Sequence, residues 1–519
     1  VTTALTLPAL LRRNTELYGD KPVMVTPDRS FRHVDLDRES RLLAARLVGA
    51  GVGRSARVGL MMPNGIEWLV TAVAIMRIGA TLVPLSTLLK PPELAAQLRT
   101  ADVTQLILIR EYRGRSYVNE LDKVAPGISA LTSSGRRHLQ LPQLQRVWPT
   151  DAIPDAPVDA SVVDALGDGV RPADPMVILF TSGSSGTPKG VIHTHGNALR
   201  ATSAGLETRR VGSDERLYIP MPFFWTGGFG AGLLTVLIAG ATLLTDEATD
   251  AGDTLEFLEK ERATLFRGWP DQAVRIAAHP AFATADLSAL SDGSLPGILP
   301  PDRRPAPGAR ANIFGMTETC GPYCGSRLDQ DLPESKRGSC GRPFDGIEVR
   351  IVDPETGAPS KSGEPGEIRL RGPNLMVGLC GRLREQTFDV DGFYPTGDLG
   401  ELDADGYLWY RGRLDDMFKV KGATVYPSEV EAALRAVSGV RQAFVSNVRD
   451  ERGIDAVGAL VVSDLGVDDL TVQARTRLSS FKVPQHWVVV GDADAVPMLA
   501  TGKIDKNALR ELLARGKGH

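Results

Sequence analysis

Apolar and polar positions alternate along this chain at the helical period first. "RESRLLAARLVGAG" repeats leucine and alanine at three- and four-residue spacing and stops at glycine. "ARVGLMMPNG" follows as a short apolar run closed by a turn. "IEWLVTAVAIMRIGA" is helical again, and "TLVPLS" is another short apolar run. Strand, helix and strand in that order predict a doubly wound α/β sheet. A second round begins near Ala263 with "ATLFRGWP" and a helix expected after it. Between Ala125 and Asp174 the chain is rich in Pro, Ser, Asp and Gly. That composition predicts irregular surface structure leading into the strand "MVILF".

From Gly341 the period shortens. "IEVRIVDPETGAP", "GEIRLRGP" and "GYLWYRGR" read as antiparallel strands with turns, a β-barrel-like subdomain. After Arg413 a small α+β unit is expected, with the helix "PSEVEAALRAV", the strands "VRQAFVSNV" and "DAVGALVV", and a last helix "KNALRELLARG". The expected division is a large N-terminal domain over 1–413 and a small C-terminal domain over 414–519.

Composition narrows the field by exclusion. The chain has 519 residues, 42% apolar and 24% charged, with a formal net charge of −4. No clustered basic run occurs, which argues against nucleic acid as a partner. No run of about 18 apolar residues occurs, so no membrane span is expected. The start, "VTTALTLPALLRRNTE", has no basic segment followed by an apolar core. A cytoplasmic location is therefore expected. Cys320, Cys324, Cys340 and Cys380 lack zinc-type pairing and read as reduced thiols.

"TSGSSGTPKG", from Thr181 to Gly190, is the first stretch with chemistry in it. Its glycines let backbone N–H groups close on anionic oxygens, and its hydroxyls add donors. A Walker loop needs Ser or Thr straight after the lysine, but Gly190 follows Lys189. The G-x-G-x-x-G fingerprint is absent too. Taken alone, such a loop is more often a linker.

Further stretches follow in order: "IFGMTET", "YPTGDLG", "YRGRLDDMFKVKGATVYPSEVE" and "LATGKIDK". With these five motifs the sequence resembles the adenylate-forming enzymes over nearly its whole length. That superfamily holds acyl- and aryl-CoA synthetases, the adenylation domains of nonribosomal peptide synthetases, and firefly luciferase. The better match is to the CoA ligases, since no carrier-protein module follows the small domain. The resemblance implies a carboxylic acid, ATP, Mg²⁺ and coenzyme A as reactants, and a homodimer is compatible with it. It also implies two steps, formation of an acyl-adenylate and then transfer of the acyl group to a thiol with loss of AMP. Transfer to a carrier-protein thiol is the near alternative, and a luciferase-like binder of adenylates the distant one.

By the same resemblance, Thr181, Ser182, Gly183, Ser184, Ser185, Gly186, Thr187 and Lys189 would grip the β- and γ-phosphates. Thr317 would hold an α-phosphate oxygen, Glu318 the Mg²⁺, and Phe314 the adenine. Asp398 would accept the ribose hydroxyls, although "TGD" alone reads as a surface turn. Arg413 would add a ribose or phosphate contact. Asp415 would be the hinge of the mobile small domain. Lys503 would reach the α-phosphate during adenylation. Lys421 and Gly422 would face the CoA tunnel after rotation, glycine leaving room for the pantetheine. His193 and His195 in "VIHTHGN" invite a metal reading. Capping or packing is expected instead, on a stretch that carries the loop into a helix.

Three departures surround the expected acyl pocket of Trp225, Gly227, Gly228, Gly293, Ile313 and Gly315. "PFFWTGGF" puts Trp225 where the family has histidine before a glycine-rich turn. "SDGSLPGILPPDRRPAPGAR" is too rich in proline for the helix expected there. "NIFG" puts Ile313 where the family often has glycine. These changes imply a pocket shaped for an apolar or bulky acid. The alternative is a ligase weakened in adenylation that mainly transfers a supplied acyl-adenylate.

Overall fold

A computed structural model describes residues 4–128, 138–181, 189–247, 250–420, 423–449, 455–499 and 503–515. The chain separates into two compact units, residues 1–349 with 370–394, and residues 350–369 with 395–519. This division falls earlier in the chain than Leu414, where the small domain was expected to begin.

The first unit holds two largely parallel sheets. The larger runs in the order Gly378–Leu379, Lys189–Thr194, Pro175–Thr181, Thr81–Pro84, Arg57–Met61, Gln105–Leu108, Arg146–Pro149. Its middle strands are parallel, as the expected crossovers require. The second runs Leu265–Phe266, Arg216–Tyr218, Thr242–Leu244, Pro22–Val25, Ser30–Arg32, parallel except at the last hairpin. The helix Ile66–Arg77 is buried on all its faces. It shares one core with residues of both sheets, among them Val58, Leu82, Val177, Leu217 and Leu243. Its near-continuous apolar sequence suits that central place.

The region from Ala125 to Asp174 corrects the sequence reading. It contains the edge strand Arg146–Pro149 and the helix Ala160–Gly169. The strand is only four residues long, but it buries Val147 and Trp148 beside Gln105–Leu108. The helix starts where Asp159 accepts a hydrogen bond from the Ser161 N–H. Its small and acidic residues hid it behind a loop-like composition. The proline-rich segment after Gly293 forms 3-10 turns, Pro296–Ile298 and Pro301–Arg303, as proline density demands.

The second unit is antiparallel in its first part. Its four-stranded sheet runs Glu348–Val352, Gly366–Arg371, Tyr394–Leu402, Leu408–Arg413. Next come a hairpin of Phe418–Val420 with Ala423–Val425 and a sheet of Val440–Arg449, Asp455–Ser463 and His486–Val490. The last of these strands is parallel to its neighbour and was not foreseen. Nor was the helix Val467–Arg475. The expected helices Pro427–Arg435 and Lys506–Arg515 bury Val430 and Leu434, and Leu509 and Leu513. No described helix is long and apolar enough to cross a membrane.

Candidate active site

The "IFGMTET" stretch is a strand that turns back on itself. Phe314–Met316 pairs antiparallel with Gly321–Gly325, and Thr317–Thr319 forms a 3-10 turn between them. The Thr319 hydroxyl ties the turn shut, lying 3.0 Å from the Met316 carbonyl and 2.7 Å from that of Gly321. Cys320 closes it at φ 55°, a left-handed conformation uncommon for a side-chain residue. At Gly315 a Cβ would lie 2.4 Å from the Gly321 carbonyl oxygen, so only glycine allows this pairing. The turn presents Thr317 and Glu318 together.

Both are held from several sides. The Thr226 hydroxyl donates to the Thr317 hydroxyl over 3.0 Å. His193 Nε2 lies 2.8 Å from the Thr317 carbonyl, and its Nδ1 lies 2.7 Å from the Asn197 amide. Burial pushes the His193 pKa down to about 4, so the ring is neutral at neutral pH. A neutral ring donates to a carbonyl through Nε2–H and accepts the amide N–H at Nδ1. His193 is thus a prop under the Thr317 turn. It sits in the strand Lys189–Thr194, and the helix begins only at His195. The expectation of a loop running straight into a helix is corrected accordingly. His195 Nδ1 accepts the Leu7 N–H, a packing role.

Glu318 is buried. Its Oε1 accepts the Tyr394 hydroxyl over 2.9 Å, and its backbone carbonyl accepts the Met376 N–H over 2.8 Å. The other carboxylate oxygen remains for a ligand. Mg²⁺ is commonly bound by one or two carboxylates together with substrate phosphates. A single fixed carboxylate fits that habit. Among the described residues no group of three or more metal-ligating side chains occurs.

Thr181 and Lys189 face each other across an antiparallel ladder at the end of the central sheet. The Thr317 turn packs against both of their strands. Ser182, Gly183, Ser184, Ser185, Gly186 and Thr187 lie outside the described residues. Phe314 meets Tyr323 edge-on at 5.6 Å, and Ile313 is half-buried next to it.

The Trp225 segment is clamped by Asn64, which donates to the Met221 carbonyl at 3.0 Å and accepts the Phe223 N–H at 2.8 Å. Trp225 packs edge-on against Phe224 and Trp269, at 5.3 and 6.4 Å. A cavity of about 600 Å³ adjoins, lined by Phe224, Trp269, Leu88, Tyr112, Asp246 and Gln272. Gly227 and Gly228 were expected in a turn. They instead open a π-helix, Gly227–Leu234, that runs into the helix Thr235–Ala239. A Cβ on Gly228 would lie 2.2 Å from the Pro222 carbonyl oxygen, and one on Gly230 2.2 Å from that of Cys320. Gly230 lets the helix press on the backbone of Cys320, which closes the Thr317 turn. Gly230→Ala is expected to destabilise the protein by about 1–3 kcal/mol, since backbone cannot move aside as a side chain does. A thermal melt checks it, and an unchanged melting temperature would count against this packing.

Gly293 is buried beside the strand Leu265–Phe266, where Ser291, Ser294 and Leu295 hydrogen-bond to the backbone of Thr264 and Phe266. A Cβ on Gly293 would touch Arg267 Nη2 at 3.4 Å. Arg267, Arg209, Thr226 and Tyr394 were not singled out from the sequence. Tyr394 and Thr226 lie inside quoted stretches, but only the fold shows that their hydroxyls meet Glu318 and Thr317.

In the second unit, "TGD" is strand and not a surface turn. Asp398 is 6% exposed and lies directly opposite Arg413. Arg413 Nη1 donates over 2.9 Å to both Asp398 Oδ1 and the Thr396 carbonyl. Asp415 stands 4.0 Å from Arg413 in the turn Leu414–Asp416. Lys503 is exposed, and its carbonyl accepts the Leu499 N–H over 2.7 Å. Lys421 and Gly422 lie outside the described residues.

Comparison with known proteins places this arrangement. Residues 11–380 match the AMP-binding enzyme family, and residues 429–503 the AMP-binding enzyme C-terminal domain. A (7a-methyl-1,5-dioxo-octahydro-1H-inden-4-yl)propanoyl:CoA ligase of Mycobacterium tuberculosis is 32% identical, over 98% of this chain and 99% of its own. A feruloyl-CoA synthase of Amycolatopsis is 34% identical, over 93% of this chain and 94% of its own. An indoleacetate–CoA ligase of Aromatoleum aromaticum is 30% identical, over 97% of both chains. In fold, the chain resembles an anthranilate CoA ligase solved with anthranoyl-AMP, at a TM-score of 0.79 and 23% identity over 98% of this chain and 97% of the other. With the Thr317–Glu318 turn held as described, and with these matches spanning both domains, the chain belongs to the AMP-binding enzymes, in the acyl-CoA ligase branch of the adenylate-forming superfamily.

Proposed function

We propose that this chain activates a bulky, ring-bearing carboxylic acid as its adenylate and passes the acyl group to coenzyme A. The observation that carries this is the Thr317 turn, whose hydroxyl, carbonyl and neighbouring carboxylate are each fixed by a separate element. Donors fixed before reaction need no reorganisation as charge builds on phosphate oxygens. In the first step a carboxylate oxygen of the acid bonds to the α-phosphorus of ATP, the bond to the β-phosphate oxygen breaks, and pyrophosphate leaves. Thr317 holds an α-phosphate oxygen. Thr181, Lys189 and the loop between them hold the β- and γ-phosphates, and Phe314 lies against adenine. Glu318 holds Mg²⁺, which neutralises phosphate charge when bound. Asp398 accepts the ribose hydroxyls, already oriented by Arg413. Lys503 serves the α-phosphate in this step.

In the second step the CoA sulfur bonds to the acyl carbon, the carbon–oxygen bond to AMP breaks, and AMP leaves. Lys421 and Gly422 serve that step, after the small domain turns about Asp415. Trp225 and Trp269 give the acyl pocket a broad apolar wall, which suits a ring. The relatives named for methyl-dioxo-octahydroindenyl-propanoyl, feruloyl and indoleacetate groups support that class of acid.

The test is a panel of ring-bearing acids with ATP, Mg²⁺ and CoA, read by mass for thioester and by chromatography for nucleotide. Thioester with AMP and pyrophosphate is the expected result. ADP with an acyl phosphate, or no product from any acid, would overturn the proposal.

A further inference from the structure

Two arginines near the candidate acyl pocket sit deep in the protein, and their surroundings differ. Arg209 is 6% exposed, and neutral acceptors surround its guanidinium. Nε donates to the Gly205 carbonyl, Nη2 to that of Thr202, and Nη1 to the Thr235 hydroxyl and the Ala231 carbonyl. The last two acceptors belong to the π-helix and the helix it runs into. Arg209 is thereby accounted for as part of the frame.

Arg267 is not accounted for in this way. It follows the strand Leu265–Phe266, and strand alternation sends its side chain out on the face of Leu265. Leu265 belongs to the main core, where an apolar residue would be the ordinary choice at the next position on that face. Among the described residues its guanidinium makes one protein hydrogen bond, from Nη2 to the Arg209 carbonyl at 2.7 Å. No carboxylate stands within ion-pair distance among the described residues; Glu215 acts on it only through space. Burial, with Arg209 close by, pushes its pKa down to about 9. It is still a cation at neutral pH. Its remaining donors are not sealed by protein, because the residue keeps accessible surface and none of its atoms is enclosed without a partner.

The fold sets where Arg267 stands. In open α/β sheets, ligands bind beyond the carboxyl ends of parallel strands, and Arg267 stands there. It touches the Gly293 position, on the segment that the sequence places in the acyl pocket. Two residues on, Trp269 meets Trp225, and the next residue, Thr226, holds the Thr317 hydroxyl. Trp269 and Trp225 thus link the segment that carries Arg267 to the turn proposed to activate the carboxyl.

We propose that Arg267 recognises an oxygen acceptor at the far end of the acid, a ring carbonyl or a second carboxylate. This rests on the ligase reading above. A buried donor set left without its acceptor penalises the wrong substrate more than a lost apolar contact does. The acid is therefore selected for an oxygen remote from its reacting carboxyl.

The test uses three cyclohexylpropanoic acids matched in size, bearing a ring ketone, a ring carboxylate or a ring methyl at the distal carbon. The wild-type enzyme is assayed first for kcat/KM in pyrophosphate release and thioester yield. One of the two oxygen-bearing acids is expected to exceed the methyl acid by about a hundredfold. Which one wins distinguishes carbonyl from carboxylate. In Arg267→Met the ratio is expected to fall to within about threefold, with folding checked by ATP-dependent thermal stabilisation. If the variant does not fold, the wild-type ratio still decides. A wild-type enzyme that turns over these acids without preferring oxygen overturns the assignment and leaves the ligase reading intact. So does an unchanged ratio in the folded variant. No turnover with any acid removes the ligase reading and this one with it.

Discussion

Lys503→Ala is expected to lower adenylate formation by about a hundredfold or more, the scale of losing one preorganised charge stabiliser. Thioester formation from acyl-adenylate supplied ready-made is expected to change only a few-fold, at most about tenfold, since that step ends with AMP leaving and no pyrophosphate to release. The residue is exposed in its own unit and makes no ion pair among the described residues. Its removal leaves no buried charge behind, so the fold should hold. The comparison therefore isolates chemistry from stability. Lys421→Ala, or Gly422→Trp, should show the opposite split, adenylation kept and transfer lost. Pyrophosphate release measures the first step, and thioester mass from synthetic adenylate the second. Equal loss of both steps in every variant would remove the argument that a turning small domain serves them in sequence.

Much of this architecture could be read from the sequence, because its signal was local. The buried helix Ile66–Arg77 and the strands on either side of it follow from apolar periodicity alone. Thr317, Glu318 and Asp398 were singled out because each sits in a short motif whose order along the chain is informative. What escaped depends on contacts between distant segments. His193 reads as a packing histidine until the fold sets it under the Thr317 carbonyl, 124 residues away. Tyr394 lies next to the "PTGD" motif, but nothing local says that its hydroxyl meets Glu318, 76 residues away. The strand Arg146–Pro149 is too short for period counting and forms because Gln105–Leu108 offers it an edge. The glycines after Trp225 suggested a turn, since glycine usually marks one. Here they serve close approach instead, letting a π-helix lie on the backbone of Cys320. Arg267 carried no motif at all. It stands out only because buried cations without carboxylate partners are uncommon.

Glu318→Gln is expected to cut adenylation by about a hundred- to a thousandfold while leaving the protein folded. The carboxylate is buried at the end of a self-tied turn, and the Met376 N–H holds its backbone carbonyl. Glutamine keeps the size and an oxygen for the Tyr394 hydroxyl, so the turn keeps its shape. What it removes is the fixed negative charge that Glu318 is proposed to offer to a divalent cation there. A site with a single protein carboxylate relies on that charge, because its other ligands come from phosphates and water. The Mg²⁺ concentration for half-maximal pyrophosphate release should therefore rise together with the fall in rate. Tyr394→Phe separates orientation from charge. It frees Oε1 but leaves the carboxylate, and should cost about ten- to a hundredfold, the worth of one hydrogen bond to a charged group. The two variants are read by Mg²⁺ titration of pyrophosphate release at saturating ATP and acid. A glutamine variant with the wild-type Mg²⁺ dependence would mean that the cation is held elsewhere and that Glu318 serves only to anchor Tyr394.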